Sequence, residues 1–211
     1  MRKWVTAIAL VLGVALGAAL ALNRNEPVVG GPCEGCDAVF QGRPDDPGSS
    51  ARIAPVGERG EALVLAGVVR DARGQPAAGI IVYAYHTDAA GIYPPDERFR
   101  GRSAYHHGRL RAWARTDASG RYRFATIRPG GYPDSGEPEH IHLHVIEPGR
   151  CTYYIDDVLF DDDARLTDRH RQRLEGRGGS GLTSPRKDEK GVWHVSRDIV
   201  LGQNIPGYPL N

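Results

Sequence analysis

Residues 62–88 read "ALVLAGVVRDARGQPAAGIIVYAYHTD", and the architecture follows from their pattern. Two runs rich in β-branched and aromatic residues, "ALVLAGVVRD" and "GIIVYAYHTD", flank "ARGQPAA", a cluster of turn formers. Beyond them lie five more candidate strands: "LRAWARTD" (110–117), "GRYRFATIRP" (120–129), "HIHLHVIEP" (140–148), "TYYIDDVLF" (152–160) and "VWHVSRDIVLG" (192–202). Turn signals such as "DASG" and "RPGGYP" separate them. Only "DARLTDRHRQRLEG" (163–176) reads as helix, with Gly176 as its stop. Many short strands and one short helix near the C-terminal part predict an all-β fold, an antiparallel β-sandwich.

Composition allows this and narrows the partners. The chain has 211 residues, 40% hydrophobic and 25% charged, enough for one domain with a full core. Lys+Arg at 27 against Asp+Glu at 26 leave a net charge of +1. That balance gives no footprint for nucleic acid, and a small molecule is the expected partner.

The first residues follow a different logic. "MRKWVTAIALVLGVALGAALALNRN" starts with Arg2 and Lys3, continues uncharged from Trp4 to Leu22, and offers "ALA" at Ala19–Ala21 as a cleavage site. Residues 1–21 are therefore expected to be a signal peptide or membrane anchor, placing the protein outside the cytoplasm; membrane contact is expected only if the segment is retained. Residues 22–60 read as an irregular, Cys-bearing lead-in, and residues 61–211 as the sandwich domain. Of the three cysteines, Cys33 and Cys36 form "CEGC" and the third is Cys151. No second Cys pair completes a zinc site. In an oxidising compartment a disulfide is expected within "CEGC", or from one of its cysteines to Cys151, leaving one thiol unpaired.

The stretch "HIHLHV" (140–145) carries the chemistry. Side chains alternate along a strand, so His140, His142 and His144 share one face. Two imidazoles at i and i+2 can converge on one ion without distorting the backbone, although Zn, Cu, Fe and Ni all accept such a pair. His144 then extends the polar face. Tyr93 follows "DAAG" and Tyr132 follows "PGG", turns able to aim a phenol inward. Phenol titrates near 10 and binds as phenolate only where a strong Lewis acid displaces its proton; ferric iron is such an acid.

Taken together, "GVVRDARGQPAAGIIVYAYHTDAAGIYPP", "RTDASGRYRFATIRPGGYP" and "HIHLHV" resemble the intradiol ring-cleavage dioxygenases, the catechol and protocatechuate dioxygenase family, and in particular its small exported branch. The resemblance implies a β-sandwich holding non-haem Fe(III) through Tyr93, Tyr132, His140 and His142. It also implies an oxidoreductase that incorporates both atoms of O2 into a catechol-type phenol. The ring would open between the two oxygenated carbons, giving a muconate-type product, with Tyr132 taking a substrate proton as base.

Two positions depart from the family pattern. Where members carry Arg three residues before the first ligand histidine, this chain has Glu137, and a helping Gln aligns with Asp157. An inward-facing Glu137 would disfavour carboxylate-bearing catechols and leave neutral or alkyl-substituted ones preferred. Arg111, Arg115, Arg121 and Arg128 are candidates for the missing cation, although each also reads as part of a solvated strand face. Two other readings explain part of the sequence. A non-catalytic transthyretin-like or carboxypeptidase-regulatory module accounts for the strands and turns. An exported copper or zinc protein would use His140, His142 and His106 or His107.

Overall fold

A computed structural model describes residues 26–33 and 35–209. The expected signal or anchor, residues 1–21, lies outside the described residues, among which no helix is long and apolar enough to cross a membrane. The chain forms β1 (Ser50–Arg52), β2 (Ala62–Arg70), β3 (Ile81–Tyr85), β4 (Arg111–Arg115), β5 (Arg121–Ile127), β6 (His140–Glu147), β7 (Cys151–Phe160), β8 (Leu182–Thr183), β9 (Arg186–Lys187), β10 (Trp193–Ser196) and β11 (Ile199–Val200). One sheet has the order β1-β5-β2-β10-β9, with β11 also on β2; the other has the order β4-β3-β6-β7-β8.

The predicted strand runs are present, but the purely antiparallel arrangement is not. Both sheets are mixed, because β1 on β5, β10 and β11 on β2, and β8 on β7 are parallel pairs. Parallel neighbours need long returning connections, and the C-terminal segments supply them. The run expected as one strand over 192–202 is broken between β10 and β11, where Arg197 is buried and donates to the carbonyls of Gly178, Arg177 and Gly179. The helix expected over 163–176 shrinks to α1, Asp168–Gln172, capped by Thr167. No α1 residue is buried, so little packing extends the helix beyond its capped first turns.

Between the sheets, alternate residues form the core. Leu63, Leu65, Tyr122 and Phe124 meet Val82, Ala84, Ala112, Ala114, Leu143 and Val145. Ile141, Leu143 and Val145 thus face inward, and the histidines of β6 are left on the outer face. There, cross-strand pairing sets His142 opposite Tyr85, and His144 opposite Tyr83 and Tyr154.

This outer face is covered rather than left to solvent. Val39 packs against Ile81, Tyr83, Trp113 and Ile146, and the Trp113 indole N–H donates to the Val39 carbonyl at 2.7 Å. The segment read as an irregular lead-in is therefore part of the structure. It contributes a 3-10 turn (Cys36–Phe40) and β1, and Pro27 and Val29 hydrogen-bond to the backbone of Thr152 in β7. Cys33 and Cys36 form a disulfide, while Cys151 is a buried thiol.

Candidate metal centre

Two turns and one strand bring the site together. The turn before Tyr93 places Gly91 at φ +82°, and a Cβ there would collide with the Gly131 carbonyl of the turn before Tyr132. Gly130 N–H donates to the Asp88 carbonyl at 2.8 Å, and Thr87 Oγ1 donates to the Gly130 carbonyl at 2.8 Å. The "DAAG" and "PGG" turns are thus locked face to face, and the phenol oxygens they carry lie 2.7 Å apart.

Those oxygens meet the first two histidines of β6. His142 Nε2 lies 2.8 Å from the Tyr93 oxygen and 3.4 Å from that of Tyr132. His140 Nε2 lies 3.2 Å from the Tyr132 oxygen and 3.1 Å from His142 Nε2. The far side of each ring is held in turn. His140 Nδ1–H donates to the Pro138 carbonyl at 2.7 Å, and His142 Nδ1–H donates to Asp157 Oδ1 at 2.9 Å. With the Nδ1 protons so placed, both Nε2 lone pairs point into the cluster.

A bulge produces the Asp157 contact. Ile141 pairs with Val158 and Leu143 with Ile155, so β6 contributes His142 where β7 contributes both Asp156 and Asp157. Asp156 turns away to accept from the Gly176 N–H at 2.7 Å, leaving Asp157 for the histidine.

Tyr93 can donate to His142 and Tyr132 to His140, but those bonds leave the two phenol oxygens 2.7 Å apart and the two Nε2 atoms 3.1 Å apart with no proton between them. Two phenol protons are available for the five contacts given above, including a contact between two Nε2 lone pairs. A shared cation would serve all of them. Donors held at about 2.1 Å from one transition-metal ion sit about 3 Å from each other, which is the spacing found. The electrostatics agree. Burial raises both phenol pKa values, and for Tyr93 the bond to Tyr132 adds to the effect, so neither ionises without a nearby cation. Burial and the neighbouring His142 hold the His140 pKa down, keeping the ring neutral and able to ligate. Burial pushes the Asp157 carboxyl up, but His142 and then His140 and His144 outweigh it, and its net shift is downward.

An open cavity of about 680 Å³ adjoins the cluster, lined by Tyr85, Tyr93, Tyr132 and His142 and by Arg102 and His107; that volume is within the usual range of about 300–1,000 Å³ for small-molecule sites. Tyr85 lies between two imidazoles, 3.8 Å from His107 at 3° and 4.5 Å from His142 at 21°. His107 Nδ1 is 2.9 Å from the Tyr83 hydroxyl and burial pushes its pKa down to about 3, so the ring stays neutral, but it stands outside the four-donor cluster.

Sequence reasoning identified Tyr93, Tyr132, His140, His142 and Asp157, and the structure brings these five together. Glu137 lies outside the cluster but within its electrostatic reach. Its carboxylate lies 3.4 Å from Arg173 and 3.8 Å from His170, and it lines a neighbouring cavity of about 310 Å³ together with Pro138 and Asp157. Its charge adds a small upward push to the pKa values of Tyr132 and His140. Nor do the four candidate arginines line the larger cavity. Arg128 pairs with Glu139 and Asp162, Arg115 with Asp46, Arg111 lies over Phe99 and Trp113, and Arg121 is exposed. The cation that does line it, Arg102, was missed, as were Tyr85 and Gly35, which also line it. Tyr85 had one local signal, its place two residues after Tyr83 on the same strand face; Arg102 sits in a loop without periodicity.

A family model described as dioxygenase matches residues 44–174, more than half of the chain. Among curated proteins, the chain is 38% identical over 126 residues to the protocatechuate 3,4-dioxygenase beta chain of Burkholderia cepacia, a match covering 53% of this chain and 48% of that one. It is 32% identical over 139 residues to catechol 1,2-dioxygenase 2 of Acinetobacter lwoffii, covering 56% and 49%. The chain spans about half the length of these relatives. Among solved structures, catechol 1,2-dioxygenase from Acinetobacter sp. ADP1, inhibited by bound mercury, superposes with a TM-score of 0.58 at 21% identity, covering 81% of this chain and 62% of that one. The dioxygenase domain of a dioxygenase carbohydrate-binding protein fusion from Streptomyces sp. SirexAA-E gives 0.56 at 23% identity, covering 76% and 94%. At these identities the superpositions speak for the fold.

Proposed function

The chain belongs to the intradiol dioxygenase family, and from that premise we propose that it cleaves the ring of a catechol-type substrate between its two oxygenated carbons, using O2 and a non-haem ferric ion. The observation that carries this reading is the convergence of the Tyr93 and Tyr132 oxygens with the Nε2 atoms of His140 and His142. These four residues would hold the iron. A bound ferric ion supplies Lewis acidity for phenols and substrate hydroxyls and the electronic coupling that opens the ring to O2.

The remaining work falls to the chain. Asp157 and the Pro138 carbonyl keep both imidazoles in the ligating tautomer. Tyr132 lines the cavity as well as the cluster; ionised beside a bound cation, its oxygen would take a proton from a substrate hydroxyl, with the Tyr93 oxygen 2.7 Å away to share it. The stacked rings of His107, Tyr85 and His142 form one aromatic side of the cavity, beside Tyr93 and Tyr132. Arg102 and His106 also line the cavity, and none of the described residues lining it is an acid. With Glu137 paired elsewhere, the cavity suits a catechol carrying a carboxylate as well as a neutral one, which reverses the preference expected from sequence. A binding module without chemistry leaves the four-donor cluster unexplained.

The test is oxygen uptake by the iron-loaded protein with dihydroxybenzenes, followed by identification of the product. Stoichiometric uptake yielding a muconate-type dicarboxylate is expected. A red-brown, iron-replete protein that consumes no oxygen, or that cuts outside the two oxygenated carbons, would overturn the assignment.

A further inference from the structure

The third histidine of β6 takes no part in the proposed iron set. His144 is 3% exposed, and its Nδ1 has no hydrogen-bond partner among the described residues. A buried polar atom of this kind calls for an explanation. Its neighbours are the sulfurs of "CEGC". The Sγ atoms of Cys33 and Cys36 and a ring nitrogen of His144 lie within 4.8 Å of one another. The two cysteine Cα atoms are 5.5 Å apart, and Cys36 is itself buried. A cavity of about 240 Å³, lined by Pro32, Cys33, His144 and Tyr154 and bounded on one side by His142, Asp157 and Tyr85, opens beside them.

We propose that Cys33, Cys36 and His144 form a zinc site when the two cysteines are in the dithiol state. Two thiolates and a neutral imidazole are the donors that a zinc ion takes up in tetrahedral sites. The cavity beside them leaves room for a water or an anion as fourth ligand. In the disulfide form the sulfurs carry no charge and ligate poorly, so disulfide and metal exclude each other. A thiol reductant supplies two electrons and two protons to the S–S bond and is itself oxidised to a disulfide. Zinc(II) then displaces both protons from the new thiols. The bound ion holds the sulfurs as thiolates and so opposes re-oxidation. The sequence showed no second Cys pair to complete a zinc site; the strand pairing supplies a histidine instead.

The test uses the full chain, its iron centre loaded, in two states: disulfide, and reduced with a phosphine that is then removed by desalting. Under anaerobic conditions, zinc(II) binding is measured by calorimetry, and cobalt(II) binding by the near-ultraviolet thiolate charge-transfer absorption that an oxygen- and nitrogen-donor centre lacks. The reduced chain is expected to bind one more zinc ion than the disulfide chain, to give the thiolate band with cobalt, and to have Cys33 and Cys36 protected from alkylation by zinc. His144→Gln is expected to weaken zinc binding about 10–100-fold, and the Cys33→Ser, Cys36→Ser double variant to abolish it. Equal zinc stoichiometry in the two redox states of the wild-type chain would overturn the proposal without depending on any variant's folding. Wild-type zinc affinity in a folded His144→Gln chain would overturn the assignment of the third ligand.

Discussion

Oδ1 of Asp157 lies 2.9 Å from Nδ1 of His142, so the carboxylate accepts the ring N–H and turns the opposite nitrogen toward Tyr93 and Tyr132. Removing such a carboxylate loosens a metal ligand without removing it. Asp157→Ala is expected to lower iron affinity about 10–100-fold, with Asp157→Asn less affected because its amide oxygen can still accept. Competition with a chelator measures this, and unchanged iron retention in Asp157→Ala would count against an orienting role.

The three strand histidines should separate in behaviour. His140→Ala and His142→Ala are each expected to lose most bound iron and the red-brown colour of phenolate–Fe(III), whereas His144→Ala keeps both. Metal analysis with the visible spectrum checks it. Bleaching of His144→Ala as complete as that of the other two would show that the iron ligands are wrongly chosen.

Charge selection should follow Arg102 rather than Glu137. Glu137 is committed to Arg173 and His170, so Glu137→Gln is expected to leave the ratio of KM values for carboxylated and unsubstituted catechols unchanged. Arg102→Gln should raise KM for the carboxylated substrate about fivefold, equivalent to about 1 kcal/mol for an exposed pair, and leave the unsubstituted one alone. A selective response to Glu137→Gln would restore the preference expected from sequence.

Acid should weaken the fold through His86. It is fully buried, its Nδ1–H donates to the Thr87 carbonyl, and Thr126 Oγ1 lies beside its Nε2. Burial, with smaller contributions from His140 and His142, lowers its pKa from 6.5 to about 4. An unfolded chain takes up this proton more readily than a folded one. Stability is therefore full above pH 6.5, declines as pH falls, and levels off below about 4, a loss of about 3 kcal/mol at 1.36 kcal/mol per unit. Urea unfolding of wild type and His86→Gln across this range should show the variant with the shallower slope. Identical slopes would exclude His86 as the source.

Residues 1–21 are proposed to direct export. Fractionation and N-terminal sequencing of the native protein should find it outside the cytoplasm, cleaved after Ala21 or retained as an anchor. A cytoplasmic protein beginning at Met1 would refute this.

The strands were legible in the amino-acid sequence because their signals are local. Period-two alternation in "RYRFATI" and "HIHLHV" and turn formers such as "DASG" act within a few residues. The donor types were legible for the same reason: two tyrosines after glycine-rich turns, and two histidines on one strand face. What remained hidden depends on contacts between distant segments. Parallel pairing of β10 and β11 with β2 requires the C-terminal segment to return across the sheet. The fit of Gly91 against Gly131 is what brings Tyr93 to Tyr132. The bulge opposite His142 delivers Asp157, α1 and its flank draw Glu137 away, and the lead-in covers the tyrosine and histidine face. Each of these is settled by steric fit or charge pairing in the folded chain, where residues far apart in sequence first become neighbours.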